Sequence, residues 1–306
     1  MQIKVKDGIK RYDYFELEEY LKRIKISDDI KYHLEDITSS MSQLFEHFIG
    51  FSDEEVDDYS RRTENFISNI NNQTIRSNIR AKDLTNNDLI FTKNTITEDG
   101  IKKIHQVLYP ECPSEYRDTE NKMGSKDIHG NEFITGFGPY AKDVPKYMSE
   151  VIKIFKDEYS YDCSDNPFVA GIILNLLISK IQPFKDANKR TARVVQNLKV
   201  TDRINEYYHT NLKLNPINIS ERVIEFSLAF DKRFNKVEFN LEKDTNDAIN
   251  NWIDFHLNMV DDQLYFLNNN IKERHSIYPL TLNDKHYGFT NENVNDGSKE
   301  IIRRLH

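Results

Sequence analysis

The chain has 306 residues, 50 of them Asp or Glu against 42 Lys or Arg, for a net charge of −8. That acidic balance argues against nucleic acid as a main ligand, because neutralising a phosphate backbone takes a basic surface. Two cysteines, Cys112 and Cys163, make no disulfide framework in a chain of this length, and the most apolar run, Phe168 to Ile181, is too short to span a bilayer.

Only 10 Gly and 8 Pro interrupt the sequence, and 30% of it is charged. Few breakers and a charged-apolar periodicity predict a mostly helical protein with room for a large core. The start of the chain has no apolar signal core, so the expected location is cytoplasmic, with export by a route lacking a cleavable signal left open. No membrane association is expected.

In chain order, helices are expected over about Tyr14 to Ile24 and Asp28 to Phe48. The second carries Ile30, Leu34, Ile37, Met41 and Leu44 at helical spacing. His33 and His47 lie near that stripe without a second metal ligand at suitable spacing, and read as packing or surface residues. Ser52 with Glu55 forms a capping box opening a helix to about Asn71. Asn71 to Asn87 is polar, a short helix and a loop. Thr97-Glu98-Asp99-Gly100 starts a helix through Leu108, and Pro110 to Asn121 is irregular.

Lys126 to Ile134 reads as a hairpin turning at Gly130-Asn131. Helices follow over Val144 to Tyr159 and Phe168 to Ile181. Further helices are expected over Asn188 to about Val200, Pro216 to Phe230 and Ala248 to Leu267. Trp252 and His256 lie on the apolar stripe of the last and read as core. From Asn268 the chain is polar and Asn-rich, ending in a short docking helix or a frayed tail. There are no repeats.

One stretch concentrates chemistry. The apolar run to Ile181 gives way to Gln182-Pro183-Phe184-Lys185-Asp186-Ala187-Asn188-Lys189-Arg190-Thr191-Ala192-Arg193, where one acid, a carboxamide and four cations crowd into the segment from Lys185 to Arg193. This is the pattern of a buried helix, a tight loop and a second helix whose N-terminal N–H groups face the loop and attract anions. Arg190 and Arg193, three apart, share a face of that helix. Two arginines, a helix N-terminus and one carboxylate suit a polyphosphate with a divalent cation.

Pro183, Phe184, Asp186, Asn188, Arg190 and Arg193 resemble the signature loop of the Fic/Doc family, whose usual form is H-P-F-x-D/E-G-N-G-R-x-x-R. Gln182 stands where that family has its catalytic histidine. Ala187-Asn188-Lys189 replaces Gly-Asn-Gly, a variant similar to the loop of the Doc toxins. The resemblance implies an all-α, Fic-like helical bundle with a small β-hairpin flap and extra N- and C-terminal helices. Its divisions would be 1–50, N-terminal helices; 51–75, an inhibitory helix; 76–215, the core with flap and loop; and 216–306, a C-terminal helical region.

The same resemblance implies a nucleotidyltransferase that moves AMP from ATP to a Ser, Thr or Tyr hydroxyl of a target protein, with Mg2+, as in bacterial toxins and effectors. Phe184, Asn188, Lys189, Arg190 and Arg193 would bind the nucleotide, Asp186 the metal. Gln182 would take the catalytic position, and a carboxamide cannot serve there as a base. Ser60, Glu64 and Asn65 match an [S/T]-x-x-x-E-[G/N] inhibitory motif in which Glu64 would pair with Arg193, although a solvated helix face has the same composition. Ile128, His129, Gly130, Asn131, Glu132 and Phe133 would form the flap edge that docks the target, although a plain surface hairpin reads the same way. Self-association into a homodimer is common in this class. Two alternatives stand beside AMP transfer: a nucleotide-binding pseudoenzyme that regulates a partner, and a Doc-like kinase that transfers the γ-phosphate.

Overall fold

A computed structural model describes residues 2–4, 10–12, 17–48, 96–126, 132–156, 166–208, 227–238 and 244–272, with residues 158, 161, 162, 217 and 219. The expected helix from Ser52, the polar stretch to Asn87 and the segment after Lys272 lie outside the described residues, as do Ser60, Glu64, Asn65, Ile128, His129, Gly130 and Asn131.

Eight helices are present among the described residues. They are α1 (Leu17–Arg23), α2 (Asp28–Phe48), α3 (Glu98–Leu108), α4 (Val144–Phe155), α5 (Pro167–Ile181), α6 (Asn188–Tyr208), α7 (Ser227–Lys236) and α8 (Asn246–Lys272). The fold is all-α with a small sheet, as expected. Several boundaries differ from the sequence reading: α4 ends at Phe155, short of Tyr159, and α8 extends beyond the expected Ala248 to Leu267 at both ends. α6 runs on to Tyr208, past the expected end near Val200. Of the stretch Pro216 to Phe230, where a helix is expected, most lies outside the described residues; Ile217 and Ile219 are not in a helix, and a helix spans Ser227–Lys236. Both isoleucines are buried.

α5 is the central element, buried at every residue from Phe168 to Ile181. Asn166 starts it, its Oδ1 accepting from the N–H of Phe168 at 2.9 Å and of Val169 at 3.4 Å, with Pro167 in the first turn. α6 packs closely along it. A Cβ added at Gly171 would lie 3.1 Å from the Gln196 carbonyl oxygen, so any larger residue would push the two helices apart by a few tenths of an ångström. A polar seam runs through the contact, where Asn175 Nδ2 donates to Gln196 Oε1 at 2.6 Å and Ser179 donates to Asn175 at 3.3 Å. Because both helices are buried here, each polar group needs such a partner.

The outer helices share the same core, which is continuous from Leu17 to Leu267. Asn250 of α8 accepts from Ser27 N–H at 3.1 Å and donates to the Lys25 carbonyl at 3.0 Å, fastening the α1–α2 turn. Trp252, Phe230, Phe234 and His256 form an aromatic cluster between α7 and α8.

The sheet holds β3 (Lys122–Lys126) and β4 (Glu132–Phe137), the expected hairpin with strands longer than the sequence suggested. Two N-terminal strands, β1 (Gln2–Lys4) and β2 (Lys10–Tyr12), extend it in the order β1-β2-β4-β3. β2 joins β4 in parallel, with Lys10 opposite Gly136 and Arg11 opposite Phe137. Nothing in local sequence pattern announces that long-range pairing. No helix among the described residues is long and apolar enough to cross a membrane.

Candidate active site

The connection from α5 to α6 is held almost entirely by its own polar groups. Gln182 caps α5 in the left-handed conformation, with φ 54° and ψ 58°. Its Nε2 donates to the Ser179 carbonyl at 2.9 Å, while its Oε1 accepts from Asn121 at 3.2 Å and Asn188 at 3.3 Å. Asn188, the first residue of α6, reaches back into the loop. Its Oδ1 accepts from Phe184 N–H at 2.8 Å and its Nδ2 donates to the Phe184 carbonyl at 2.9 Å. Asn121 donates to the same carbonyl at 2.8 Å.

Phe184 turns inward and is fully buried, its ring stacked on His105 of α3 at 3.9 Å between centroids. His105 Nε2 donates to the Asp186 carbonyl at 3.0 Å, which places a proton on that nitrogen. Burial pushes its pKa down, against the hydrogen bond to Asp186 and with the help of Arg190. The last turn of the loop needs a second left-handed residue, Ala187 at φ 60°.

Arg117 clamps the other side. Its guanidinium donates to the carbonyls of Gln182 at 2.6 Å, Ile181 at 3.3 Å, Thr119 at 2.8 Å and Pro139 at 2.6 Å. The Arg117 N–H also donates to the Pro183 carbonyl at 2.8 Å. A buried cation therefore sits at the carbonyl end of α5, where the helix dipole favours it. It joins the end of β4 to the loop. A Cβ at Gly138 would lie 3.0 Å from Arg117 Nη2 and 3.5 Å from Gln182 Cβ, so the chain passes here at backbone distance.

On the solvent side, Asp186 is 60% exposed and pairs loosely with Arg190, Nη2 to Oδ1 3.4 Å. Arg190 lies over the Tyr109 ring at 4.7 Å and stays 10% exposed. An exposed carboxylate, an arginine at the mouth and the first turn of a 21-residue helix together offer an anion and its counter-cation a place to bind.

Residues 95–199 match the family described as Fic/DOC. They are a Fic/DOC-family domain. A Fic family protein from Desulfovibrio desulfuricans G20 is similar in fold, with TM-score 0.52, 14% identity and coverage of 79% of this chain and 76% of that one. A Fic domain containing signaling protein from Bacteroides thetaiotaomicron VPI-5482 is similar too, with TM-score 0.54, 13% identity and coverage of 79% and 99%. No curated protein matches the sequence.

Within the Fic domain, the site residues expected from sequence divide by where their side chains point. Asp186 and Arg190 face the mouth of the loop. Phe184 and Asn188 face the interior and build the loop, so neither side chain offers a nucleotide a free group. Lys189 leans away to α7, where it pairs with Asp231 at 2.9 Å and lies 5.0 Å from the Phe234 ring centre. Arg193 is buried, and it lines a small cavity of about 20 Å3 with Gln196 and Val260. Burial, and secondarily Arg190, lower its pKa to about 9. Arg190 and Arg193 are thus both largely buried side chains. Glu132 and Phe133 lie in β4.

His105, Arg117 and Asn121 are not among the site residues that the sequence reading singles out. His105 had one signal available. It follows Ile104 and lies four residues after Ile101, on the buried face of α3. Among the described residues, no group of three or more His, Cys, Asp or Glu side chains could hold a metal by itself.

Proposed function

We propose that this Fic domain binds Mg-ATP at the loop from Gln182 to Arg193, and that it is a protein adenylyltransferase by chemistry, held down by Gln182 and by Glu64. The donor set fits that ligand. One exposed carboxylate, Asp186, suits Mg2+, which takes one or two carboxylates and otherwise keeps water and phosphate oxygens. The metal, when bound, neutralises phosphate charge. The first-turn N–H groups of α6 and Arg190 meet the phosphate oxygens. Arg193 adds positive charge from below.

The observation that carries the reading is the state of the Gln182 carboxamide. It occupies the position of the family's general base, yet both its ends are engaged in the loop, to Ser179 on one side and to Asn121 and Asn188 on the other. A carboxamide takes no proton near neutral pH, and loss of a general base costs about 10²–10⁴-fold in rate. Among the described residues, no neighbour supplies the lost base. His105 lies behind Phe184 with its proton committed to the Asp186 carbonyl. The target is a protein hydroxyl delivered along the flap, whose β4 end reaches Gln182 through Gly138.

The same saturated carboxamide favours a second reading, a nucleotide-binding pseudoenzyme that acts on a partner without turnover. ATP labelled at the α- or the γ-phosphate separates the two. The double variant Gln182→His/Glu64→Gly is expected to place α-label, not γ-label, on protein, and the natural chain to place far less. Transfer of γ-label instead makes the domain a Doc-like kinase. Calorimetric ATP binding without any label establishes the pseudoenzyme, and no Mg-ATP binding by Glu64→Gly removes the nucleotide site altogether.

A further inference from the structure

The edge of β4 beside the loop is already filled, and by the chain's own N-terminus. We propose that β2 occupies in cis the strand-docking edge of the flap, so that an extended target segment must displace it and then pair as it does, parallel to β4. This rests on reading the flap as the target-docking element.

Three observations carry it. β4 lies between β3 and β2, so the hairpin's side away from β3 is taken up by residues Lys10–Tyr12. The pairing is parallel and, among the described residues, consists of Lys10↔Gly136 and Arg11↔Phe137, which fasten a strand that enters from more than a hundred positions away in sequence. Such a short ladder is a small free energy to exchange for another strand. The position of the ladder is the third observation. Continuing the register by one residue sets Tyr12 level with Gly138, whose backbone approaches Arg117 and Gln182. β2 thus runs toward the loop on the edge that leads to it.

Main-chain hydrogen bonds make strand addition tolerant of sequence, and this is how one edge accepts both an internal and an external strand. The direction is set by the ladder. A target strand that takes over the register of β2 runs N-to-C toward the loop.

The test uses the full chain and needs neither nucleotide nor turnover, so it fails separately from the proposed reaction. Arg11→Pro and Lys10→Pro, made singly and together, remove donors from the ladder. Amide exchange at Phe137, whose N–H faces the β2 side, is expected to speed up about tenfold or more in the double variant, while Gly138, which donates to the Asn121 carbonyl at 3.3 Å, and α5 and α6 exchange as before. A synthetic peptide of residues 8–14 is then expected to restore protection in the variant and to leave the natural chain unaffected, while a scrambled peptide does nothing. Unchanged exchange in the double variant overturns the proposal, and so does lost protection that the peptide does not restore. Should the proline variants unfold, Arg11→Cys/Phe137→Cys provides the second measurement. Near-complete disulfide formation under mild oxidation supports the register, and its absence overturns it.

Discussion

The imidazole of His105 lies on the ring of Phe184, 15° from parallel, while its Nε2 reaches past to the Asp186 carbonyl at 3.0 Å. One side chain of α3 therefore supports the loop twice, by a ring contact beneath and a hydrogen bond at its rim. The consequence is that the loop's shape depends on a helix eighty residues upstream.

Phe184→Ala is expected to cost about 3–5 kcal/mol, the usual loss for a fully buried ring. His105→Leu keeps an apolar contact but drops the hydrogen bond, at about 1 kcal/mol. Urea unfolding measures both. Because Asp186 is the residue released, His105→Leu should also weaken Mg-ATP binding more than its small stability cost implies, which calorimetry reads.

Ala187 holds a left-handed backbone at φ 60°, a conformation that costs a residue with a Cβ about 1 kcal/mol or more. Its side chain is buried and small, so glycine changes little else. Ala187→Gly is expected to raise stability by about 1 kcal/mol, seen as a higher urea midpoint at unchanged slope. Gln182, at φ 54°, has the same backbone but uses its side chain in three hydrogen bonds. Gln182→Gly should therefore destabilise, and the pair of variants separates backbone strain from side-chain bonding.

Acid should loosen the protein through its histidines. Burial, with Arg193 and Arg233, lowers His256 to about 4 against the Trp252 hydrogen bond, and His105 is lowered too. In the unfolded chain both take a proton near 6.5, so their stabilising contribution is complete above that pH. It is lost as pH falls from 6.5 toward about 4, by up to roughly 3 kcal/mol for His256. Lys180 behaves in the same sense at higher pH. Burial first, and Lys189 second, lower it to about 7, against Glu238, so stability rises with pH between about 7 and 10.5. Thermal melts across pH should show both ranges. His256→Leu should flatten the acid limb, and Lys180→Met the alkaline one.

The sequence alone determined the elements whose causes are local. Thr97 caps α3 through the Gly100 N–H, α2 runs over Asp28–Phe48 as its periodicity requires, and the unbroken apolar run before Gln182 makes α5 a buried helix. It also located the loop, because acid, amide and cations at fixed spacing survive in the order of residues. Direction was not legible. Spacing put Arg190 and Arg193 on one side of α6 but not at what depth: Arg193 lines a small cavity with Phe168 of α5 and Val260 of α8, while Arg190, nearly as buried, lies over the Tyr109 ring. Lys189 was drawn to α7 by Asp231, forty-two positions away. Asn188 was spent on the Phe184 backbone. Only tertiary packing decides these, since a helical period fixes which residues share a face but not what lies opposite it. The pairing of β2 with β4 is the strongest case, because a strand's partner is chosen by main-chain groups that every residue carries alike.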